Sequence, residues 1–248
     1  MRVAIYNQMF GLNGRNLFSN LMGHWAVHYT KNIDKVHNSA KIPQTLDLIA
    51  SSNADIIGIC EILEGQEGEL EKGLREDGYN YVFFGNGHKT KFSNLKVRVA
   101  IASRIPCEQV SKVRILDFPV KDEMGGGGGI VHCYFPKLDF NMINVHLANP
   151  KKQKLYSEQI AFLEEYAESL KGKVILAGDF NAVYGNLNEG FKGFSLASDQ
   201  IKTCSLTPVM KWFFWKDCDH IFVKGFKTKD SGYLEGRSDH RLVYADLE

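Results

Sequence analysis

Polar side chains follow several apolar runs of this sequence at the points where those runs end. They are carboxylates, amides and imidazoles, namely Asn7, Glu61, His146, Asp179, Asn181, Asp219, Asp239 and His240. Apolar strands ending in such groups are how layered α/β proteins present reactive side chains at one edge of a sheet. Carboxylate and amide oxygens suit hard cations such as Mg²⁺, and imidazoles can donate hydrogen bonds to developing negative charge. Singly, each residue also fits a turn or a solvated loop, but the combination indicates a site.

Positioning these residues requires strands, and β-rich runs alternate with helical stretches along the chain. Strands are predicted at residues 2–6, 55–60, 79–84, 97–103, 130–135, 140–146, 173–177, 220–223 and 242–247. Helices are predicted at 44–52, where Pro43 suits the first turn, and at 154–170, which Gly172 ends. Weaker helical patterns span 16–29 and 68–74. Interleaved strands and helices without a linker predict one layered α/β domain.

The composition is that of a globular protein and excludes several classes. The 248 residues are 44% hydrophobic and 24% charged, unlike a disordered or collagen-like chain. No run approaches the ~20 apolar residues of a membrane-spanning helix. A net charge of +1 argues against nucleic-acid binding by bulk charge but leaves room for a local basic groove. The 5 cysteines without a C-x-x-C pair, and an N-terminus without a signal-peptide pattern, predict reduced thiols in a cytoplasmic protein.

In this order, the motifs resemble those of the endonuclease/exonuclease/phosphatase superfamily over nearly the whole chain. They are Tyr6-Asn7, Ile59-Cys60-Glu61, Ser103-Arg104, Asn144-Val145-His146, Gly178-Asp179-Phe180-Asn181, Asp219-His220 and Ser238-Asp239-His240. The resemblance implies a DNase I-like fold, a four-layer α/β sandwich of two mixed β-sheets packed face to face with helices outside. It also implies one catalytic domain over residues 1–248, with an atypical insertion at about 10–42, and phosphoester hydrolysis assisted by Mg²⁺ or Mn²⁺.

The metal-binding residues expected from this resemblance are oxygen donors. Glu61 is the first choice, with Asn7 and Asp239 beside it, because Mg²⁺ takes oxygen ligands and only one or two carboxylates. Asn7 would otherwise be a turn residue, and Asp239 would otherwise only position the backbone.

The remaining site residues suit the catalytic roles that the resemblance implies. Asp179 would orient and deprotonate the attacking water, and Asn181 would hold that water or the phosphate. His146 and His240 would donate hydrogen bonds to phosphate oxygens as charge grows in the transition state. Asp219 would orient His240, unless it merely caps a turn.

DNA is the expected substrate, which makes the chain a predicted nuclease acting on phosphodiester bonds. A basic run, Lys151-Lys152-Gln153-Lys154, and a second stretch at 89–98 would supply a local positive groove. The predicted substrate-binding residues are Asn7, Asn181, His146, His240 and Lys151. A phosphatase or a sphingomyelinase-like phospholipid phosphodiesterase on the same site is the alternative, and a non-catalytic binding module is a third hypothesis.

Several segments leave alternatives open. The aromatic residues of the 10–42 insertion and the cluster Trp212-Phe213-Phe214-Trp215 either pack on the domain or contact bases or a membrane interface. The five-glycine run 125–129 is either a flexible turn or a loop that a substrate approaches closely. The stretch 94–98 lacks the acid that DNase I-type relatives pair with the residue corresponding to His146. No protein partner is indicated.

Overall fold

The computed structural model of the chain describes residues 1–11, 27, 29, 42–110, 113–122, 127–182, 191–198, 201–205 and 216–248. The predicted helix at 16–29 (apart from residues 27 and 29), most of the 10–42 insertion, part of the five-glycine run and the aromatic cluster 212–215 lie outside these residues. None of the helices seen in this part of the chain is long and apolar enough to cross a membrane.

Strands dominate the regular structure of the described residues. They are β1 (Arg2–Asn7), β2 (Ile56–Leu63), β3 (Tyr81–Lys89), β4 (Lys96–Ser103), β5 (Glu108–Gln109), β6 (Gly129–Phe135), β7 (Phe140–His146), β8 (Lys173–Asp179), β9 (Ser195–Leu196), β10 (Asp219–Lys224), β11 (Thr228–Leu234) and β12 (Leu242–Leu247). The helices are α1 (Ile42–Ser51), α2 (Glu67–Glu76), α3 (Val113–Leu116) and α4 (Gln153–Ser169), and Met9–Gly11 forms a 3₁₀ turn.

The nine predicted strands are confirmed, and so are the predicted helices that correspond to α1, α2 and α4. Strands β2, β3 and β8 run further than predicted, each towards the predicted site. The short strands β5 and β9 and the longer β11 were not predicted. None of the β11 positions is buried, and its polar sequence shows no alternation of apolar and polar residues because it lies at the end of the strand order.

The strands form one large mixed sheet with the order β11-β12-β1-β2-β4-β3-β6-β7-β8-β10-β9, and β5 pairs with β6. The pairs β1–β2 and β7–β8 are parallel, whereas the others are antiparallel. The resemblance implied two separate sheets. A short pairing of β3 with β6, at Asn86–Ile130 and Gly87–Gly129, joins the strands into one continuous hydrogen-bonded sheet. The predicted α/β class is confirmed as a curled mixed sheet with few helices.

The two halves of this sheet share one apolar core. It combines residues of β1, β2 and β4 with residues of β6, β7, β8 and β10, among them Val3, Ile5, Ile101, Val131, Met142, Ile175 and Ile221. Helices α1 and α2 cover the outer face of the first half through Ile49, Leu70 and Leu74. Helix α4 covers the second half through Leu163 and Tyr166. Removing these side chains from water is the main force that holds the curled sheet closed.

A buried amide joins the two halves of the sheet. Asn144 on β7 is fully buried, and its Nδ2 donates hydrogen bonds to the carbonyl oxygens of Ala100 on β4 (2.9 Å) and Ile59 on β2 (3.2 Å). Gly58 on β2 leaves the room that this amide needs, because a Cβ there would lie 2.5 Å from Asn144 Oδ1. Gly58 and Asn144 therefore form a matched pair that fixes the position of one sheet half relative to the other.

The Gly58→Ala substitution is expected to destabilise the protein, because the added methyl group must displace Asn144 and weaken its two hydrogen bonds. We expect the free energy of unfolding to fall by about 2–4 kcal/mol, measured by urea denaturation. Gly68→Ala is the matched control. Gly68 lies in α2 with open space around its Cβ position, so alanine should raise stability by about 0.5–1 kcal/mol. Equal effects of the two substitutions would contradict this role of Gly58.

Candidate active site

The strand register brings the predicted residues to one edge of the sheet. β1 runs parallel to β2 with Asn7 opposite Cys60, and β7 runs parallel to β8 with His146 opposite Asp179. β10 begins where β8 ends, so that Asp219 pairs with Asp179. Parallel strands carry their carboxyl ends to the same side, and both parallel pairs end at this edge.

The segment before β12 reaches the same edge, because β12 runs antiparallel to β1. Ser238 Oγ donates a hydrogen bond to the carbonyl oxygen of Asn7 (2.7 Å) and contacts Asp239 Oδ1 at 3.2 Å. It also accepts the backbone N–H of His240 at 3.1 Å. One serine hydroxyl therefore fixes the turn that carries Asp239 and His240.

Asp179 is the centre of the arrangement, and its side chain is buried. Asn7 Nδ2 donates to its Oδ2 at 2.8 Å, and the backbone N–H of Asn181 donates to its Oδ1 at 2.7 Å. The Nε2 atoms of His146 and His240 each lie 3.8 Å from Oδ2. Four of the predicted site residues thus converge on one carboxylate.

The backbone conformation and packing of the Gly178-Asp179-Phe180-Asn181 segment explain its residue types. Gly178 has φ 137°, and a Cβ there would lie 1.9 Å from the Val145 carbonyl oxygen. Phe180 is fully buried in the core beneath α4. Asn181 adopts φ 55°, a left-handed conformation that asparagine tolerates, and its Nδ2 donates to the Leu147 carbonyl oxygen at 2.7 Å.

His240 and Asp219 form a buried pair, with His240 Nδ1 2.7 Å from Asp219 Oδ2. The backbone N–H of Asp219 donates to Thr203 Oγ1 at 3.0 Å, which anchors the carboxylate-bearing residue. Burial lowers the pKa of His240, but the carboxylates of Asp219 and Asp179 outweigh it and raise that pKa well above the usual range. His240 is therefore an imidazolium at neutral pH, with Nε2 directed towards Asp179.

A backbone irregularity aims Glu61 at the site. The register between β2 and β4 shifts between Ile59 and Ile62, and Glu61 within this bulge has φ 58°. Such a conformation costs energy in a non-glycine residue, and bulges redirect side chains beside functional sites. Burial raises the pKa of Glu61 to about 8, with further contributions from the carboxylates of Asp239 and Asp179.

A third histidine, His88 near the end of β3, lies beside His146. Their ring centroids are 6.5 Å apart, and His88 Nδ1 is 3.2 Å from the carbonyl oxygen of Gly128. Burial, reinforced by His146, lowers the pKa of His88 to about 4. Burial also lowers the pKa of His146, whose Nε2 lies 3.7 Å from Glu61 Oε1. The stretch 94–98 contains no acidic residue that could pair with His146, and His88 is the residue found beside it.

The described part of the five-glycine run, residues 127–129, is packed against backbone. A Cβ at Gly127 would lie 1.7 Å from the Lys121 carbonyl oxygen, and Gly128 has φ 99°. Gly127 and Gly128 are needed because other parts of the chain, at Lys121 and Gln159, pack closely against them. This role differs from a flexible turn and from a loop that a substrate approaches.

A cavity of about 300 Å³ opens at this edge. Its lining contains six predicted residues and five others: Glu61, His146, Asp179, Asn181, Asp239 and His240, together with Asn149, Cys204, Ser205, Lys216 and Cys218. Lys151, predicted to bind substrate, is exposed and is not part of the lining. Lys216, which was not predicted, supplies a lysine to the described lining instead. A lysine outside any motif gives no signal in the sequence.

The donor set fits a divalent cation. Ligand atoms of Asp179, Asp219 and His240 lie within 4.8 Å of one another, although His240 must lose its proton before it can bind a cation. Glu61 and Asp239 supply further carboxylates to the same cavity. Burial and, to a lesser extent, repulsion from Asp239 and Asp179 raise the pKa of Glu61, and a bound cation would favour its charged form. Asn7 Oδ1 already accepts the backbone N–H of Met9 at 3.0 Å, so a metal would share that oxygen.

Comparisons with known proteins agree with this geometry. The model of the endonuclease/exonuclease/phosphatase family matches residues 16–240, whereas none of the curated proteins compared with the chain matches it in sequence. An endonuclease/exonuclease/phosphatase from Beutenbergia cavernae superposes over 100% of this chain and 71% of its own, with a TM-score of 0.70 and 15% identity.

Two further structures cover the whole of this chain. A mannosyl-6-phosphatase from Bacteroides thetaiotaomicron has a TM-score of 0.65 at 19% identity over 99% of its own length. TDP2 from D. rerio, complexed with a single-strand DNA product, has a TM-score of 0.64 at 14% identity over 98% of its length. At these identities, the structural likeness demonstrates a common fold. Because the family model spans most of the sequence, the chain belongs to the endonuclease/exonuclease/phosphatase family of phosphoester hydrolases.

Proposed function

We propose that the protein is a divalent-metal-dependent phosphodiesterase that cleaves DNA. The observation that carries the catalytic part of this proposal is the convergence of Asn7, Asn181, His146 and His240 on the buried Asp179 carboxylate. We also propose that residues 1–248 form one catalytic domain with the four-layer arrangement of its family. The packing of the two sheet halves across one core, with α1, α2 and α4 outside, supports that architecture.

Asp179 is the proposed base. It takes a proton from the attacking water, whose oxygen forms a bond to phosphorus while the ester P–O bond breaks. The leaving oxygen departs with the electron pair of that bond and is protonated from solvent or by a histidine. Asn7 and the backbone N–H of Asn181 hold the carboxylate in place for this transfer.

The two histidines are proposed to bind the phosphate. His240 is positively charged and is held by Asp219, so its Nε2 donates to a non-bridging oxygen as negative charge accumulates. His146 is a neutral donor whose Nε2 lies 3.8 Å from the same Asp179 oxygen and 3.7 Å from Glu61 Oε1. Mg²⁺ or Mn²⁺ bound by Glu61, with Asp239 and Asn7 alongside, would polarise a phosphoryl oxygen.

Support for DNA as the substrate comes from the β3–β4 hairpin at the same edge of the sheet. The hairpin follows His88 and carries Lys89, Lys91 and Phe92, all exposed. Phe92 stacks on Tyr29 with ring centroids 5.2 Å apart, and Lys91 Nζ lies 5.7 Å from the Phe92 ring centroid. Exposed aromatic faces beside lysines bind single-stranded nucleic acid through base stacking and phosphate attraction.

A phosphatase that acts on a small phosphomonoester is the second candidate. The compact cavity and the single lysine among its described lining residues suit one terminal phosphate. A mannosyl-6-phosphatase also shares the fold. The aromatic cluster that would favour a phospholipid substrate, residues 212–215, lies outside the described residues.

The substrate class can be tested with a single-stranded oligonucleotide, plasmid DNA, sphingomyelin and mannose 6-phosphate in parallel, each with Mg²⁺. We expect hydrolysis of the oligonucleotide. Phe92→Ala should lower kcat/KM for it by about tenfold, since stacking on one base is worth roughly 1–3 kcal/mol. Leu138→Ala, an exposed apolar residue in the β6–β7 turn, is the matched control. Turnover of mannose 6-phosphate or sphingomyelin without DNA cleavage would overturn DNA as the substrate.

Asp179→Asn should lower kcat by roughly 10²–10⁴-fold, because it removes the base while keeping a side chain of the same shape. Steady-state rates with saturating Mg²⁺ provide the measurement. Asp139→Asn is a matched control, since Asp139 lies in an exposed turn and bonds only Tyr134 among the contacts described for its side chain. An unchanged rate in Asp179→Asn would refute its role as the base.

Removal of metal with EDTA should abolish activity, and Mg²⁺ or Mn²⁺ should restore it. Because Glu61 has a pKa of about 8 without metal, it is protonated below that pH and must lose its proton to bind the cation. Mg²⁺ affinity should therefore rise between pH 6 and pH 8. Calorimetric titration in two buffers of different ionisation enthalpy should detect proton release, which Glu61→Gln should remove. Metal affinity independent of pH over this range would contradict the assignment of Glu61.

A further inference from the structure

Two cysteines face each other in the wall of the active-site cavity. Cys204 and Cys218 both line it, and their sulfur atoms are 2.7 Å apart. Both are thiols in the structure. We propose that Cys204 and Cys218 are a reversible oxidation site that forms a disulfide within the cavity wall. This site is separate from the groups to which the proposed hydrolysis assigns roles.

The two backbones are held in position by contacts that do not involve sulfur. Cys204 makes antiparallel bridges to Lys216 and to His240, and its N–H donates to the Lys216 carbonyl oxygen at 2.8 Å. The Cys218 N–H donates to Thr203 Oγ1 at 3.0 Å, and its carbonyl accepts the Phe180 N–H at 2.8 Å. A disulfide, with a bond length of about 2.05 Å, therefore requires only a small movement of the side chains.

The accessibility of the two thiols sets the order of the chemistry. Cys204 is partly exposed, whereas Cys218 is only 6% exposed. A low-molecular-weight disulfide such as oxidised glutathione would be attacked by the Cys204 thiolate, releasing one glutathione thiol. Cys218 then displaces the second glutathione. Overall, two protein thiols are oxidised to one disulfide, one glutathione disulfide is reduced to two thiols, and the two protons pass to the products.

The other cysteines are in different surroundings. Cys107 and Cys133 lie next to each other in the core between the sheet halves, 5% and 0% exposed. Cys60 is buried, and its Sγ donates to the Val145 carbonyl oxygen. Of the described residues that line the active-site cavity, only Cys204 and Cys218 carry thiols. An oxidant that enters this cavity therefore meets this pair.

The proposal can be tested on the whole protein incubated with oxidised glutathione or with dithiothreitol. Oxidation should lower the mass by about 2 Da and reduce the thiols titrated after unfolding from 5 to 3 (5 − 2). Peptide mapping should join Cys204 to Cys218. The melting temperature should rise by roughly 5–10 °C, because the bond closes a loop in the unfolded chain, and dithiothreitol should reverse the rise.

Two variants separate this pair from the buried one. Cys204→Ser should abolish both the cross-link and the oxidation-dependent rise in melting temperature, whereas Cys107→Ser should retain both. If a variant folds poorly, peptide mapping of the oxidised wild-type protein still shows which cysteines are cross-linked. Five remaining thiols, a cross-link that joins Cys107 to Cys133, or glutathione retained on Cys204 without transfer to Cys218 would each overturn the proposal.

Discussion

The structure depends on the burial of carboxylates at one edge of a sheet. A buried carboxylate is unfavourable unless hydrogen bonds or opposite charges compensate it. Asp179 receives hydrogen bonds from Asn7 and Asn181, and Asp219 receives the His240 imidazolium. Asn7 and His240 also stabilise the charged form of Glu61, but burial and the carboxylates of Asp239 and Asp179 outweigh them and raise its pKa to about 8. The site is thus a cluster of carboxylates. A bound divalent cation would balance their negative charge and attract a phosphate.

Local backbone irregularities serve this cluster. The bulge at Glu61, the left-handed Asn181 and the turn fixed by Ser238 all occur where a regular strand would aim the side chain elsewhere. The apolar core supplies the rigidity against which these features are held, and Asn144 fixes the two sheet halves relative to each other. The positions of these side chains therefore rest in part on core contacts that do not line the cavity.

Much of the site was predictable because residues at strand ends follow the register of the strands. Once β7 and β8 are parallel, His146 and Asp179 must be neighbours, so their motifs suffice to place them together. The sequence does not show contacts made between distant segments. His88 and Lys216 belong to no motif, and Lys151 proved to lie outside the cavity lining. Apolar periodicity likewise predicted the central strands but missed β11, whose side chains are mostly partly or fully exposed.

The pairing of β1 with β12 has a consequence for how the chain acquires its fold. β1 lies between β12 and β2, and the N-terminal amino group donates to the Leu247 carbonyl oxygen at 3.0 Å. During synthesis, β1 therefore waits for β12, near position 247, before one of its edges is covered. Contacts across such sequence separations slow folding, and an uncovered apolar strand invites aggregation during synthesis. Asn7 lies on this strand, so the candidate site is assembled around it only after β12 has been translated.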